Sequence, residues 1–228
     1  MDSPSGAPSA LDRAGVLPLA VRARREQRLL PGGVRVDTFD GSAWFGLIPF
    51  EMRDLQVGPT PPFPWLGSFI EINVGIYVVD VHGRRAVWFF SLDVLPSAIV
   101  AVAVARTAFS PPYCWAIAEH KVAADQHRYQ MTRRWLGAGA PHADIGFRVG
   151  DSIDDDDVTD LDHFRSARWG LVTSRWNRSL YGTVHHPRWP LHRVDDVNID
   201  QNVIEAAWLP APVGTPHAFY STGRSCST

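Results

Sequence analysis

A chain of 228 residues is long enough for one substantial core, and its 24 acidic and 22 basic side chains, a formal net charge of −2, leave neither a basic stripe for a phosphate backbone nor a polybasic tract for an anionic membrane surface. Two cysteines, Cys114 and Cys226, give no disulfide framework and no paired metal-ligand motif, which suits a reducing cytosol. Nine Trp and eleven Phe either fill a core or line a pocket for a small organic ligand.

Residues 1–10 have the Pro, Ser and Gly content of a disordered leader. The apolar patch Val16 to Val21 is followed, not preceded, by Arg22, Arg24, Arg25 and Arg28, which argues against a signal peptide. Leu11 to Leu30 allows a helix interrupted near Pro18, and nothing in it forces a strand. The expected division is a partly disordered leader over residues 1–29 and a single domain over residues 30–228.

Val34 to Phe39 alternates as a strand, Asp40-Gly41 is a hairpin turn, and Ala43 to Ile48 is its return. Residues 57–64 hold four prolines and read as a stiff loop. In the central stretch, Ile70, Ile72, Val74, Ile76 and Val78 alternate with Glu71, Asn73, Gly75 and Tyr77, the period of a strand with one apolar and one polar face. A turn containing His82-Gly83 leads to a second strand, Ala86 to Ser91, so the pair reads as an antiparallel hairpin.

Pro96 to Arg106 reads as a buried helix, since Pro-Ser at its start and four alanines outweigh its valines, and it is far short of the roughly 20 residues of a membrane span. The expectation is that this helix covers the apolar face of the central strand, leaving the polar face to the concave side of the sheet. After Pro111-Pro112, Tyr113 to Glu119 begins another strand, which carries Trp115. Arg128 to Arg134 and Asp144 to Val149 read as strands with a loop at Gly137 to Pro141 between them. Leu161 to Phe164 leads into Arg168 to Val172, Leu180 to His185 and Val203 to Leu209, all readable as short strands or edges. Asp154 to Asp157 lacks the spacing and the closing Glu of a calcium loop and reads as a solvated turn.

Several polar residues are candidates for chemistry. Glu71, Asn73 and Tyr77 emerge on one face and can line a pocket; buried, Glu71 has a raised pKa and serves as acid or base, whereas facing water or an Arg it is structural. Ser91 ends the return strand without a nucleophile elbow around it, and Asp93 is placed to cap the helix that follows. His185, His186 and His192 cluster, but adjacent histidines of a strand point to opposite faces and no Glu completes a metal set, so no metal is expected. Trp189 packs an edge or closes one end of the sheet.

Taken in order, Val36 to Met52, Glu71-Ile72-Asn73-Val74, Phe89 to Asp93, Pro112-Tyr113, Ala167-Arg168-Trp169 and His186 to Leu191 resemble domain-of-unknown-function family 2071, the YqjF-like proteins, from about Leu30 to Ser221. That family is similar to acetoacetate decarboxylase. The resemblance implies an α+β fold, mainly antiparallel β, in which a curved barrel-like sheet with a few packed helices surrounds a pocket. In the decarboxylase a Schiff-base lysine is activated by an adjacent cation. The counterpart position here is Pro112-Tyr113, and a phenol forms no imine; the only lysine, Lys121, reads as a solvated surface residue beside His120. Family members usually carry an Arg where this chain has Gly75, so an anionic ligand lacks its most obvious partner on that strand. They also begin with a Trp- and His-containing strand, and residues 11–29 contain neither: either the first strand is replaced or the start of the sequence is abnormal.

The expectation is a cytoplasmic protein that binds a small organic molecule, without a cofactor, nucleic acid or membrane, in a pocket drawn from Glu71, Asn73, Tyr77, Ser91, Tyr113 and Trp115. The alternatives are an enzyme that uses Glu71 and Tyr113 for proton transfer and a structural domain whose barrel is filled.

Overall fold

The computed structural model describes residues 10–21, 26–53, 68–108, 111–134, 139–176, 178–183, 188–212 and 216–222, with the side chains of 10–21, 104 and 108 outside the description. The proline-rich stretch 57–64, residues 1–9, His185, His186 and Cys226 lie outside the described residues. Along the chain run β1 (Ala10–Val21), β2 (Val34–Val36), β3 (Thr38–Phe39), β4 (Ser42–Arg53), β5 (Phe69–Asp80), β6 (Arg85–Val94), α1 (Ile99–Ala108), β7 (Tyr113–Ala123), β8 (Gln126–Arg133) and β9 (His142–Ser152). They are followed by α2 (Asp160–Ser166), β10 (Gly170–Arg175), β11 (Arg178–Thr183), β12 (Leu191–Gln201), α3 (Val203–Ala206) and β13 (Phe219–Ser221).

The alternating central stretch forms β5, which is antiparallel to both β4 and β6. Pairings lead from β5 through β6, β7, β8, β9, β12, β13, β1 and β4 back to β5, and β10 and β11 extend from β6. The result is the mostly antiparallel, curved barrel-like sheet, in which β6 pairs in parallel with β7 and with β10.

Ile72, Val74, Ile76 and Val78 are fully buried in one cluster with Phe45 and Leu47 of β4, Ala116 of β7, Tyr129 and Met131 of β8, Ile145 of β9 and Tyr220 of β13. Since residues from strands all round the circuit meet there, this is the inner face. Each such aliphatic side chain withdrawn from water contributes roughly 1.5–3 kcal/mol. The expected cover by the helix is therefore corrected. The strands cover each other's apolar faces, while Val102 of α1 and Ala98, in the turn that precedes it, pack on Phe69 and Val94, which lie on the face of Glu71.

Further departures have local causes. Val34 to Phe39 is not one hairpin arm: Val34–Val36 pairs with β5, and only Thr38–Phe39 pairs with β4 across Asp40-Gly41, both in the left-handed conformation that this tight turn requires. Ala10–Val21 forms a strand that pairs with β4 from Arg53 to Ala43 and with β13. Gln27 also bonds the backbone of Val34 and Val36 through its amide. Leu161 to Phe164 is helical, because Thr159 and Asp162 form a capping box that starts α2, an arrangement worth about 1 kcal/mol. Val203–Ala206 is a helical turn, not a strand.

Deleting residues 10–21 should strip one edge each from β4 and β13. The expected result in a denaturant titration is loss of the cooperative transition or a fall of more than half in midpoint; an unchanged midpoint contradicts the register described for β1.

Candidate functional site

On the outer face of β4, β5 and β6 lies a cavity of about 290 Å³. Its floor follows from strand register. Ile48 pairs with Asn73 and Phe50 with Glu71, so the pleat puts Ile48, Phe50, Glu71 and Asn73 on one side, and Leu92, opposite Asn73, joins them from β6. Tyr77 and Val87 continue the same face. Ala105 of α1 and Tyr113 of β7 border one end, Arg165, Ser166 and Arg168 border the other, and Trp189 adds to the wall.

Gly75 sits in this row between Asn73 and Tyr77. A Cβ there would come within 2.8 Å of Val87 Cγ1 and 3.1 Å of the Trp88 carbonyl oxygen. The register of β5 and β6 also slips here: Val74 faces Ser91 and Gly75 faces Phe89, leaving Phe90 as the extra residue of a bulge. Glycine allows the bulged strand to lie close to β5, where a larger residue would hold it away.

Of the six residues expected at the pocket, Glu71, Asn73, Tyr77 and Tyr113 line this cavity, while Ser91 and Trp115 do not. Ser91 pairs with Val74, so the pleat points it to the inner face, where it is buried and its hydroxyl finds no partner among the described residues. Trp115 shares the face of Tyr113 but lies two residues farther along, against the cluster of Phe69, Val94, Ala98 and Val102 under α1.

The electrostatics differ between the two ends. Glu71 is 5% exposed, and burial pushes its carboxyl up to about 8; a hydrogen bond from Asn73 pulls back down, and Asp93 adds a smaller upward push. Burial also raises the Tyr113 hydroxyl well above its usual range, with Glu71 adding to the rise and Arg106 opposing it. Tyr77 is pushed up to about 12 by burial, against the pull of Arg168 and Arg165. At neutral pH the Glu71 end therefore presents a neutral carboxylic acid and the neutral phenol of Tyr113, and Tyr77 carries a neutral phenol toward the other end.

The other end is cationic. Arg168 donates through Nε to the Phe164 carbonyl (2.8 Å) and through Nη1 to Asp37 (2.7 Å), and its guanidinium lies over the rings of Tyr77 and Phe164 at 4.7 and 4.3 Å. Asp37 is shared with Arg85 at 2.9 Å, and Arg165 bonds Asp162 and the carbonyls of Leu161 and His217. Arg168 Nη2 is buried without a partner among the described residues, as are Asn73 Oδ1 and the Tyr77 hydroxyl. Such a group costs about 1–3 kcal/mol when nothing satisfies it. The guanidinium groups that line the cavity thus come from α2 and the residues just after it, and none comes from β5.

Two polar constellations on the inner face were not drawn from the sequence. Asp93 is fully buried and accepts two hydrogen bonds from Arg133, at 2.6 and 2.8 Å, so it is an ion-pair partner and not a helix cap. His120 Nδ1 lies 3.3 Å from Glu51 Oε2, and its Nε2 lies 3.1 Å from His127 Nδ1, with the His120 ring stacked on Tyr129. The two-residue turn between β7 and β8 puts His120 opposite Tyr129 and His127 opposite Val122, a diagonal pair recoverable once the hairpin is recognised. Lys121 points to the other face, is 62% exposed, lies 3.1 Å from Glu119 and does not line this cavity. His192 lies against the Gly150 carbonyl at 3.4 Å. No helix among the described residues is long and apolar enough to cross a membrane.

The sequence profile of domain-of-unknown-function family 2071, described as an uncharacterized conserved protein, matches residues 12–225. The chain belongs to this family. A relative of this family 2071 chain, the uncharacterized protein YqjF of Bacillus subtilis (strain 168), is 28% identical over 193 residues, covering 85% of this chain and 78% of the relative. The family 2071 chain also resembles solved structures of low sequence identity. An acetoacetate decarboxylase aligns with a TM-score of 0.62 at 13% identity, over 96% of this chain and 86% of the other. The enduracididine biosynthesis enzyme MppR, complexed with the condensation product of pyruvate and imidazole 4-carboxaldehyde, aligns at 0.57 and 14%, over 94% and 86%. The acetoacetate decarboxylase of Legionella pneumophila aligns at 0.56 and 12%, over 94% and 83%. The fold is thus of the acetoacetate decarboxylase-like type.

The raised pKa of Glu71 has a stability consequence with a definite sign. The folded chain holds this proton more tightly than the unfolded chain, so the contribution is complete below about 4.5 and is lost as pH rises through about 8, with a slope approaching ~1.4 kcal/mol per pH unit between. Replacing Glu71→Gln keeps the neutral shape and removes the titration. Melting curves should show the variant gaining on the parent from pH 5 to pH 9 and exceeding it at pH 9; parallel curves contradict a buried, neutral Glu71.

Proposed function

We propose that this protein binds a small organic molecule in the outer-face cavity and does so without forming an imine. The observation that carries the reading is the cavity itself: apolar walls of Ile48, Phe50, Leu92 and Trp189 joined to a few buried polar groups, three of which have unpartnered atoms among the described residues. Ligand sites are typically concave, mostly apolar and equipped with few polar groups of this kind. Structural neighbours offer indirect support, since MppR structures contain pyruvate or a HEPES molecule. A cytoplasmic setting is proposed from the two cysteines, of which Cys114 is a free thiol.

A second reading, an enzyme that uses Glu71 and Tyr113 for proton transfer, is favoured by one specific observation. Glu71, pushed up to about 8, borders the same cavity as Tyr113 and interacts electrostatically with it. A carboxyl that titrates near working pH can donate or accept a proton. A purely structural role fits the filled inner face, yet it gives no account of the outer cavity.

The absence of an imine is checked by borohydride trapping. With acetoacetate or pyruvate, intact-mass spectrometry should find no reduced adduct, because Lys121 lies outside the cavity, 62% exposed and ion-paired with Glu119, which holds its amine charged. A stoichiometric adduct on Lys121 contradicts the reading. The binding reading is tested by a thermal-shift screen of small organic molecules, in which ligands should raise the melting temperature in a concentration-dependent way.

A further inference from the structure

The cavity has one charged end, and that end defines a ligand class. Around Arg168 stand three guanidinium groups, those of Arg85, Arg165 and Arg168, against two carboxylates, Asp37 and Asp162. Among the described residues one positive charge is left over; Arg165 and Arg168 are almost entirely removed from water, while Arg85 is 42% exposed. Burial lowers the pKa of both guanidinium groups, and their paired carboxylates oppose it, so both remain cations at neutral pH. A buried cation without a complete set of partners is costly, and a charge-assisted hydrogen bond offsets that cost most effectively. Tyr77 stands under the Arg168 guanidinium and carries a hydroxyl without a partner among the described residues.

At the far end the acid Glu71 is neutral at working pH, so it adds no negative charge to the cavity, and the wall is apolar through Phe50 and Leu92. A cavity of about 290 Å³ corresponds to about ten water-sized groups, at ~30 Å³ each. That is more than a three-carbon acid fills.

We propose that the cavity selects small organic monocarboxylates of roughly six to nine carbon atoms in all, the carboxylate accepting from the Arg168 guanidinium and the Tyr77 hydroxyl and the apolar body lying along Phe50 and Leu92. This assignment rests on the small-molecule reading of the same cavity and adds to it the charge, the size and the orientation of the ligand. No covalent step is involved.

The test compares hexanoate and 3-phenylpropionate with their primary amides and with pyruvate, by titration calorimetry and thermal shift on the full chain. The two acids should bind roughly tenfold or more tightly than their amides, since a hydrogen bond to a charged group is worth more than a neutral one, and more tightly than pyruvate. Tyr77→Phe should leave the melting temperature of the free protein equal or higher, because its hydroxyl has no partner among the described residues, and should weaken the acids severalfold and the amides by less, the bond to a charged acceptor being the stronger. This variant is preferred to one at Arg168, whose bonds to Asp37 and Phe164 also support the fold. Acids and amides of equal affinity, or pyruvate as the tightest ligand, overturn the assignment and leave the small-molecule reading standing. Absence of binding by the acids, the amides and a wider set of neutral molecules overturns both.

Discussion

The structure depends on one constraint: β5 is buried on both faces, although its sequence gives it two unlike ones. The aliphatic face is satisfied by the strands curving round to meet each other, so that Ile72, Val74 and Ile76 share a core with residues from β7, β8, β9 and β13. The polar face has no such partner. It is covered instead by α1 at the Phe69 end and by the α2 segment at the Tyr77 end, and two short covers over a long strand leave the cavity between them.

Two buried carboxylates on neighbouring strands show how the faces differ. Asp93, on the inner face, is matched by a two-pronged ion pair with Arg133, the arrangement that makes a charge tolerable in a low-dielectric interior. Glu71, on the outer face, is helped by Asn73 but by no such cation, so the cheaper state is protonated and its pKa rises to about 8. Gly75 is part of the same outcome. By admitting Val87 and Phe89 close to β5 it fills with apolar atoms the place where a larger side chain would stand.

Much of this was legible from the chain. The strict alternation of residues 70–79 gave β5 and the grouping of Glu71, Asn73 and Tyr77, and Pro96-Ser97 followed by alanines located the helix. What was not legible depended on distant partners. β1 has no alternation strong enough to announce a strand and exists through its pairing with β4 and β13. In β12 two register slips, one next to Asp196 in a left-handed conformation, break the period that would identify it. Which face of β5 turns inward is likewise a property of the whole circuit of strands, and the local pattern supports either choice. Arg168 escaped notice as a cavity residue because it is 91 positions from Tyr77 in sequence and reaches it through a capped helix turn.

The measurement that bears most directly on this account is a carbon-13 NMR titration of the glutamate side-chain carboxyls, with the Glu71 resonance assigned by its loss in Glu71→Gln. A midpoint near 8 is the result the account predicts, since the carboxyl is buried and the cations that line the cavity stand at its other end. A midpoint at or below the ordinary value of 4.5 would mean that water or a cation reaches Glu71, and would contradict both the burial of the outer face and the neutral end of the cavity.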